Sequence, residues 1–282
     1  MGNTLKNKID FMAIVNLNNA NGNGDPLNGN RPRQTMDGFG EISDVCLKRK
    51  IRNRLQDMGE KIFVQSNEHT DDGCKSLAER AKTNEEIEKA IKNKDEEAYK
   101  NVANTTWIDV RAFGQVFAFK GDSTSVGIRG PVTIQPAFSV APVEVESSQI
   151  TKSVNGETSD KKASDTMGMK YRVSHGLYII KGSISAQLAE NTGFSEEDAE
   201  KVKEALRTIF VNDASSARPD GSMELVKLYW CKHNCKLGQY SSAKVHRMLE
   251  VTPTCDMPKS MNDYTIKLNK LEGLEVEEIE GL

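Results

Sequence analysis

A loop rich in asparagine, glycine and proline, followed directly by a basic helical pattern, constrains this sequence more than any other stretch. The block runs from Asn16 to Arg54, and the apolar, β-branched run from Ile9 to Leu17 leads into it. That run predicts a buried strand. The loop carries many backbone polar groups that a core could not satisfy, so we expect it to face solvent or a ligand.

Ser43 or Asp44 is expected to begin a helix after this loop, because short polar side chains cap the free N–H groups of a first turn. Apolar residues then recur at the spacing of one buried stripe. The members of this stripe are Leu47, Ile51, Leu55 and Met58. Five basic residues also lie within seven positions of the helix. The pattern therefore predicts an amphipathic helix with a strongly cationic surface.

The basic residues fall on two flanks of the stripe, at about 100° per residue. Lys48 and Arg52 share one flank, and Lys50 and Arg54 share the other. Only one flank can line a single groove. We expect Lys48, Arg49 and Arg52 to line it, with the other pair solvated.

Two arginines in the loop, Arg31 and Arg33, favour binding of a polyanion over the ordinary alternative of a solvated amphipathic helix. A nucleotide cofactor is not expected. The loop contains Gly22-x-Gly24, but Leu27 stands where a dinucleotide fingerprint needs its third glycine. No Walker A pattern follows either.

The overall charge is compatible with nucleic-acid binding. The 282 residues carry a net charge of −3, but residues 272–282 hold five glutamates and no lysine or arginine, so the rest of the chain is positive. Binding depends on where the cations lie. No run has the length of a membrane span, and five scattered cysteines suit a reducing compartment. We therefore expect a cytoplasmic protein without a membrane partner.

We expect no catalytic site and no metal site. Cys231, His233 and Cys235 would share one face of a strand, with the outer two about 13 Å apart. Sulfurs that share a zinc ion must lie much closer, so zinc is excluded unless this segment is a turn. Asp25 and Asp37 are the loop carboxylates to consider for RNA cleavage. Each is followed by proline or glycine, which is typical of turns.

The remaining elements predict an α+β fold. Further strands are expected at 128–145, 171–185 and 222–235, and a helix at 194–212 with Ser195 as its N-cap. Together with the first strand and the basic helix, the order is strand, helix, strand, strand, helix, strand. This is the ferredoxin-like arrangement that RNA-recognition domains also use.

Two segments do not fit this core. Residues 66–104 are helical in pattern and mixed in charge, which indicates an insertion clamped on the edge of the core. Residues 147–170 are polar and have too little to bury, so they should project from the body. Met167-Gly168-Met169 at the foot of this projection sets two adaptable apolar side chains around a glycine. The ordinary alternative for such methionines is core filling.

Several motifs occur in a characteristic order from residue 8 to about 250. They are Asn23-Gly24-Asp25-Pro26, Gly29-Asn30, Pro32-Arg33, Ser43 to Arg52, Asp109-Val110-Arg111 with Phe113-Gly114, Ile128-Arg129-Gly130-Pro131, Thr166-Met167-Gly168 with Lys170, His175-Gly176-Leu177-Tyr178, and Lys232-His233 with Lys236-Leu237-Gly238. Together they resemble the Cas-seven family, the Cascade backbone subunits of type I CRISPR systems. Subtype C is the most similar branch.

The resemblance implies a single domain, 1–282, shaped like a right hand. Its parts would be a ferredoxin-like, RNA-recognition-like palm (8–59, 120–143 and 171–250), a helical fingers insertion (60–119), a thumb hairpin or loop (144–170) and an acidic C-terminal tail (272–282). Members of this family polymerise head to tail along the CRISPR RNA, and each thumb wedges between bases so that one nucleotide per subunit turns out.

The implied function is that of a non-enzymatic, CRISPR RNA-binding backbone subunit for antiviral defence. The implied partners are CRISPR RNA, copies of the chain itself, other Cascade subunits, and target DNA through guide pairing. The candidate RNA-binding residues are Arg31, Arg33, Lys48, Arg49, Arg52, Arg111, Arg129, Met167 and Lys170. Two alternatives remain open at this point: a metal-dependent endoribonuclease subunit of type III-like character, and a monomeric RNA-binding regulator.

Overall fold

The computed structural model describes residues 3–120, 125–151 and 167–282. The predicted projection lies partly outside these ranges. The elements of the first part, in chain order, are β1 (Ile9–Ala20), β2 (Gly24–Asp25), β3 (Arg31–Pro32), β4 (Phe39–Ile42), α1 (Asp44–Asp57), α2 (Leu77–Lys82), α3 (Glu85–Asn93), α4 (Glu96–Thr106), α5 (Ile108–Phe113) and β5 (Gly114–Phe117).

The second part continues with β6 (Val126–Arg129), β7 (Val132–Ile134), β8 (Ala137–Pro142), β9 (Val145–Thr151), β10 (Met167–Ile184), α6 (Ala186–Thr192), α7 (Glu196–Arg207), β11 (Met223–Lys232), α8 (Ser242–His246), β12 (Leu249–Pro253), β13 (Tyr264–Leu268) and β14 (Glu275–Glu280). No helix among the described residues is long and apolar enough to cross a bilayer.

A central antiparallel sheet makes this a mixed α/β fold. The strand order is β14-β11-β1-β10-β8-β4, and β7 and β9 also pair with β10. The central strand β1 is apolar on both faces because each face is covered. Phe11 and Val15 face a main core shared with α1 and α7, whereas Met12 and Ile14 face a second core that includes residues of α8 and β12. A continuous apolar run is the pattern expected of such a doubly covered strand.

Helix α1 buries the predicted stripe, with Leu47, Ile51 and Leu55 in the main core. The expectation that Lys50 and Arg54 are solvated is wrong. Lys50 is buried, forms an ion pair with Asp213 and lies over the ring of Phe210 at 5.6 Å. The Arg54 Nε donates to Thr208 Oγ1 at 2.7 Å. This flank packs on the chain that follows α7, and a carboxylate there neutralises the buried ammonium group.

Helices α2 to α5 and the β5–β6 hairpin pack around a separate core. Its buried members are Phe63, Ala81, Ile87, Ala90, Tyr99, Ala103, Trp107, Val110, Phe117 and Val126. The aromatic rings lie close, with Phe63 and Trp107 centroids 4.7 Å apart. These ten buried residues thus form a core of their own beside the main sheet. Ile108 and Ala112 of α5 belong instead to the main core.

Gly114 and Gly130 allow two stretches of backbone to pack directly against each other, where α5 and the β5–β6 hairpin lead into the sheet. A Cβ on Gly130 would lie 2.3 Å from Ala112 O and 2.4 Å from Gly114 N. Gly114 itself has a φ of +78°, and its Cβ would lie 2.4 Å from Ile128 O. Only glycine leaves room for this approach, which explains the two glycine-containing motifs.

We expect Gly130→Ala to lower the free energy of unfolding by about 1–3 kcal/mol, because the methyl group overpacks against fixed backbone. Gly127→Ala is the matched control, since nothing lies within 4 Å of its added Cβ in the same hairpin. Denaturant unfolding of both variants measures the difference. Equal stabilities would contradict the steric reason.

Candidate nucleic-acid interface

Asparagine side chains hold the loop that precedes α1 in a defined shape. The Asn23 Oδ1 accepts the Ser43 N–H at 2.9 Å, and Asn23 O accepts the Arg33 N–H at 3.0 Å. The Ser43 hydroxyl caps α1 by accepting the Cys46 N–H at 3.3 Å. Asn21, which is buried, donates to Asn30 O at 2.7 Å. The loop thus fixes Arg33 beside the first turn of α1.

One face of α1 carries the cations that the sequence groups together. Val45, Lys48, Arg49 and Arg52 follow the three- and four-residue spacing of a single helical face. Val45 is 71% exposed, so this face is open at the first turn of the helix, whereas the Arg52 side chain is only 12% exposed. The Lys48 Nζ lies 2.9 Å from Asp44 Oδ2, one turn earlier, and both side chains are partly exposed.

Arg52 and Arg49 on this face also hold the helical segment, which comprises α2 to α5, in place. The Arg52 Nε donates to the buried Asp109 at 3.0 Å. Asp109 also accepts the N–H groups of Phe63 and Val64, at 2.7 and 3.0 Å. The Arg49 Nη1 donates to Val64 O at 2.5 Å. Burial, followed by the neighbouring Arg52, lowers the pKa of Arg49. Asp109 therefore connects α1, α5 and the chain before α2.

Arg31 joins the loop to the β9–β10 hairpin. Its guanidinium carbon lies 4.6 Å from the centre of the Tyr171 ring, and its Nη1 donates to Ser147 Oγ at 3.1 Å. Tyr171 and Ser147 are directly paired across β9 and β10. Sequence reasoning missed both residues, since no periodicity links position 31 to positions 147 and 171.

The methionines at the outer end of β10 are not core residues. Met167 and Met169 are 63% and 50% exposed, so the core-filling interpretation is wrong. Strand alternation places both on the same face as Tyr171, whereas Lys170 lies on the other face with Ile150. Gln149 Nε2 contacts the Met167 sulfur at 2.7 Å. The exposed apolar face thus continues outward from the Arg31–Tyr171 contact.

Arg111 and Arg129 lie outside this group. Two guanidinium nitrogens of Arg111 bind both carboxylate oxygens of Asp198, at 2.9 and 2.7 Å. Burial tends to raise the pKa of Asp198, but the hydrogen bonds from Arg111 and Ser195 hold it below its ordinary value. Arg129 is exposed on β6, and no ion pair joins it to a residue of the described ranges. The structure therefore separates these two arginines from the α1 face.

The cysteine and histidine residues near the end of β11 have different surroundings. Cys231 is buried, and burial raises the pKa of its thiol to about 12. His233 accepts the Gln239 N–H at Nδ1 and donates from Nε2 to Asp10 at 2.8 Å. Cys235 is exposed. Within the described residues, no three His, Cys, Asp or Glu side chains are arranged to hold a metal ion.

The loop carboxylates have local roles. Asp25 accepts the Leu27 N–H at 3.2 Å and lies 3.6 Å from Arg33. Asp37 lies in the turn that Gly38 closes by donating its N–H to Thr35 O at 3.0 Å. Both positions thus have the turn-forming surroundings that the neighbouring proline and glycine indicate.

An antiparallel sheet that presents an ordered basic loop and a basic helix face suits a nucleic-acid-binding protein. The family named CRISPR-associated protein Cas7 matches residues 7–269, so the chain belongs to this family. A relative of the same name from Haloferax volcanii is 25% identical over 297 residues, which cover 95% of this chain and 82% of that protein. The family that the sequence motifs indicate is thereby confirmed.

A solved structure described as a CRISPR RNA-guided surveillance complex, pre-nicking, contains a chain with a similar fold. The TM-score is 0.50 at 17% sequence identity, and the match covers 79% of this chain and 78% of that chain. A second solved structure, a CRISPR RNA-guided surveillance complex, matches with a TM-score of 0.44 at 19% identity, over 79% of this chain and 68% of that chain.

We expect Arg111→Met to lower the free energy of unfolding by about 3 kcal/mol at pH 7, because Asp198 is left buried without its partner. The folded pKa of Asp198 lies below its ordinary value of 3.8. Its ionisation therefore stabilises the native protein above that value, and this contribution is lost as the pH falls through the lower folded pKa.

The difference between wild type and Arg111→Met should accordingly shrink as the pH falls below about 4. Denaturant unfolding at neutral and acidic pH measures it. Lys92→Met is the control, since Lys92 pairs with Glu88 on an exposed helix surface. A stability loss for Arg111→Met that does not change with pH would contradict the ion-pair explanation.

Proposed function

We propose that this protein is the CRISPR RNA-binding backbone subunit of a type I interference complex, most similar to subtype C. Copies polymerise head to tail along the guide RNA in the cytoplasm, beside other Cascade subunits, and target DNA is read by pairing with the guide. The observation that carries the proposal is the open basic face of α1, beside Arg31 and Arg33, in a chain of the Cas7 family.

The strand order supports a ferredoxin-like palm. In the sheet, four of the strands lie in the order β11-β1-β10-β8. Along the chain, α1 lies between β1 and β8, and α7 lies between β10 and β11. This is the order of a split βαβ fold. We assign the palm to 8–59, 120–143 and 171–250. The fingers at 60–119 include most of the separate core, and the thumb at 144–170 begins with β9 and ends on β10.

The nine proposed RNA-binding residues divide into three roles: phosphate contact, positioning and packing against bases. Arg31, Arg33, Lys48 and Arg49 contact phosphates from one side, and Lys170 and Arg129 add exposed cations. Breaking the partly exposed Lys48–Asp44 pair costs only about 0–1 kcal/mol, so Lys48 is available to RNA.

Arg52 and Arg111 act by positioning, because each holds a buried carboxylate. Met167 packs against bases. Phosphate contacts carry no sequence information, as a support for varied guides requires.

We propose that the subunit is not an enzyme. The supporting observation is that Asp25 and Asp37 of the loop have turn-forming roles. The alternative is a metal-dependent endoribonuclease. This alternative would be correct if purified protein with guide RNA and Mg²⁺ cut complementary RNA at regular intervals, and if Asp25→Ala or Asp37→Ala stopped the cleavage.

We expect Lys48→Gln combined with Arg49→Gln to weaken guide-RNA binding without unfolding the protein, because two phosphate contacts are lost. The slope of log K against log salt should fall by about 1.4, at about 0.7 for each contact with a single strand. The matched control is Lys89→Gln with Lys92→Gln on the exposed surface of α3, which removes the same charge. Equal slopes in the two double variants would exclude the α1 face as the RNA site.

We expect Met167→Asp to weaken assembly on guide RNA at least ~10-fold, because a wedge must replace base stacking worth a few kcal/mol with apolar contact. The melting temperature of the free subunit should change little, since the side chain is exposed. Ile150→Asp is the control on the opposite face of the same hairpin. Native mass spectrometry measures the number of subunits bound per RNA. An equal loss of assembly in both variants would disprove the role of Met167 as a wedge.

A further inference from the structure

The acidic end of the chain is an ordered strand that lies beyond the family match, which ends at residue 269. Strand β14 pairs with β11 over its whole length, from Glu275 opposite Lys232 to Glu280 opposite Lys227. It is therefore the edge strand of the central sheet. A loosely attached tail would not have a fixed register.

Packing on both faces fixes β14 in this position. Ile279 packs against the main core, and Val276 packs against the second core. A side chain on Gly281 would collide with Leu225 O, so the chain runs close to β11 up to its end. The glutamates of β14 are thus held in fixed positions along this edge of the sheet.

The glutamates of β14 pair with three lysines from separate parts of the chain. We name these lysines the lysine edge: Lys203, Lys227 and Lys270. The Lys227 Nζ lies 2.9 Å from Glu280, the Lys203 Nζ lies 2.8 Å from Glu277, and the Lys270 Nζ lies 3.1 Å from Glu278. The hydrogen bond that Lys227 donates to Glu280 raises the pKa of Lys227. Lys203 also contacts Glu200 at 2.6 Å.

Without β14 this region would be basic. Residues 223–282 contain eight lysines and arginines and nine carboxylates, and four of those carboxylates belong to β14. A lysine already paired with a fixed carboxylate releases few counterions from a nucleic acid, so it adds little to binding. Charges within a Debye length of about 8–10 Å act on one another, and the ion pairs lie well inside it.

We propose that β14 determines where RNA binds, by neutralising the lysine edge so that only the loop and α1 face attracts the guide. The inference rests on the proposed function and specifies it further. A subunit that grips phosphates without reading sequence has no base contact to reject a wrong surface. It must therefore exclude RNA from other lysine-rich surfaces by charge.

The test replaces three glutamates of β14 by glutamine, as Glu277→Gln, Glu278→Gln and Glu280→Gln, which keeps their size and the strand. The control makes the same charge change with Glu86→Gln, Glu88→Gln and Glu97→Gln on α3 and α4, where two of the glutamates also pair with lysines. Both sets are placed in the Lys48→Gln, Arg49→Gln background. The probe is a 20-nucleotide single-stranded RNA of random sequence.

We expect the β14 variant to bind the probe at least ~10-fold more tightly than the control variant at low salt, with a salt slope steeper by about 1.4 for the two released lysines, Lys227 and Lys270. Lys203 keeps its contact with Glu200 in this variant. An equal gain in both variants would overturn the proposal, because net charge alone would explain it. No gain in RNA binding, with self-association of the β14 variant in sedimentation, would also overturn it, since protection of the sheet edge from strand pairing would then be its role.

Failure of the proposed function would be visible separately. In that case the Lys48→Gln, Arg49→Gln protein would bind guide RNA as well as wild type. The comparison of the β14 and control variants would still be read in that same background.

Discussion

The position of the basic helix relative to the helical segment depends on one buried carboxylate. Asp109 accepts two backbone N–H groups before α2 and the Arg52 side chain of α1. A fully buried carboxylate is tolerated only when its oxygens are satisfied in this way. The same arginine therefore belongs both to the cationic face and to the internal structure. The face cannot shift without disturbing the packing of Phe63 and its neighbours.

Local patterns predicted much of the fold. The buried stripe of α1, the doubly covered strand β1 and the Ser195 cap of α7 all follow from spacing and residue type within a few positions. The surroundings of Lys50 could not be predicted, because its partner Asp213 lies 163 residues later in the chain. A lysine beside an apolar stripe is normally solvated, and only the tertiary fold supplies the carboxylate that permits its burial.

The candidate interface was predictable in composition but not in roles. Lys48, Arg49 and Arg52 share one face of α1, since helical periodicity alone decides which side chains do so. Their contact with RNA stays a prediction. The sequence could not distinguish an open cation from one that a carboxylate holds, as Asp198 holds Arg111. The Arg31–Tyr171 contact joins residues 140 positions apart, and the acidic end gave no sign of forming a strand.

The close backbone contact at Gly114 and Gly130 bears on how a chain of this kind can change. The seat of the helical segment includes Gly114, Gly130 and Asp109. It also includes the contacts of Arg49 with Val64 O and of Arg111 with Asp198. The outer helices α2 and α3 do not take part in that seat. Their length and surface can therefore diverge among homologues, or be exchanged by an engineer, while the sheet and its cationic face keep their geometry.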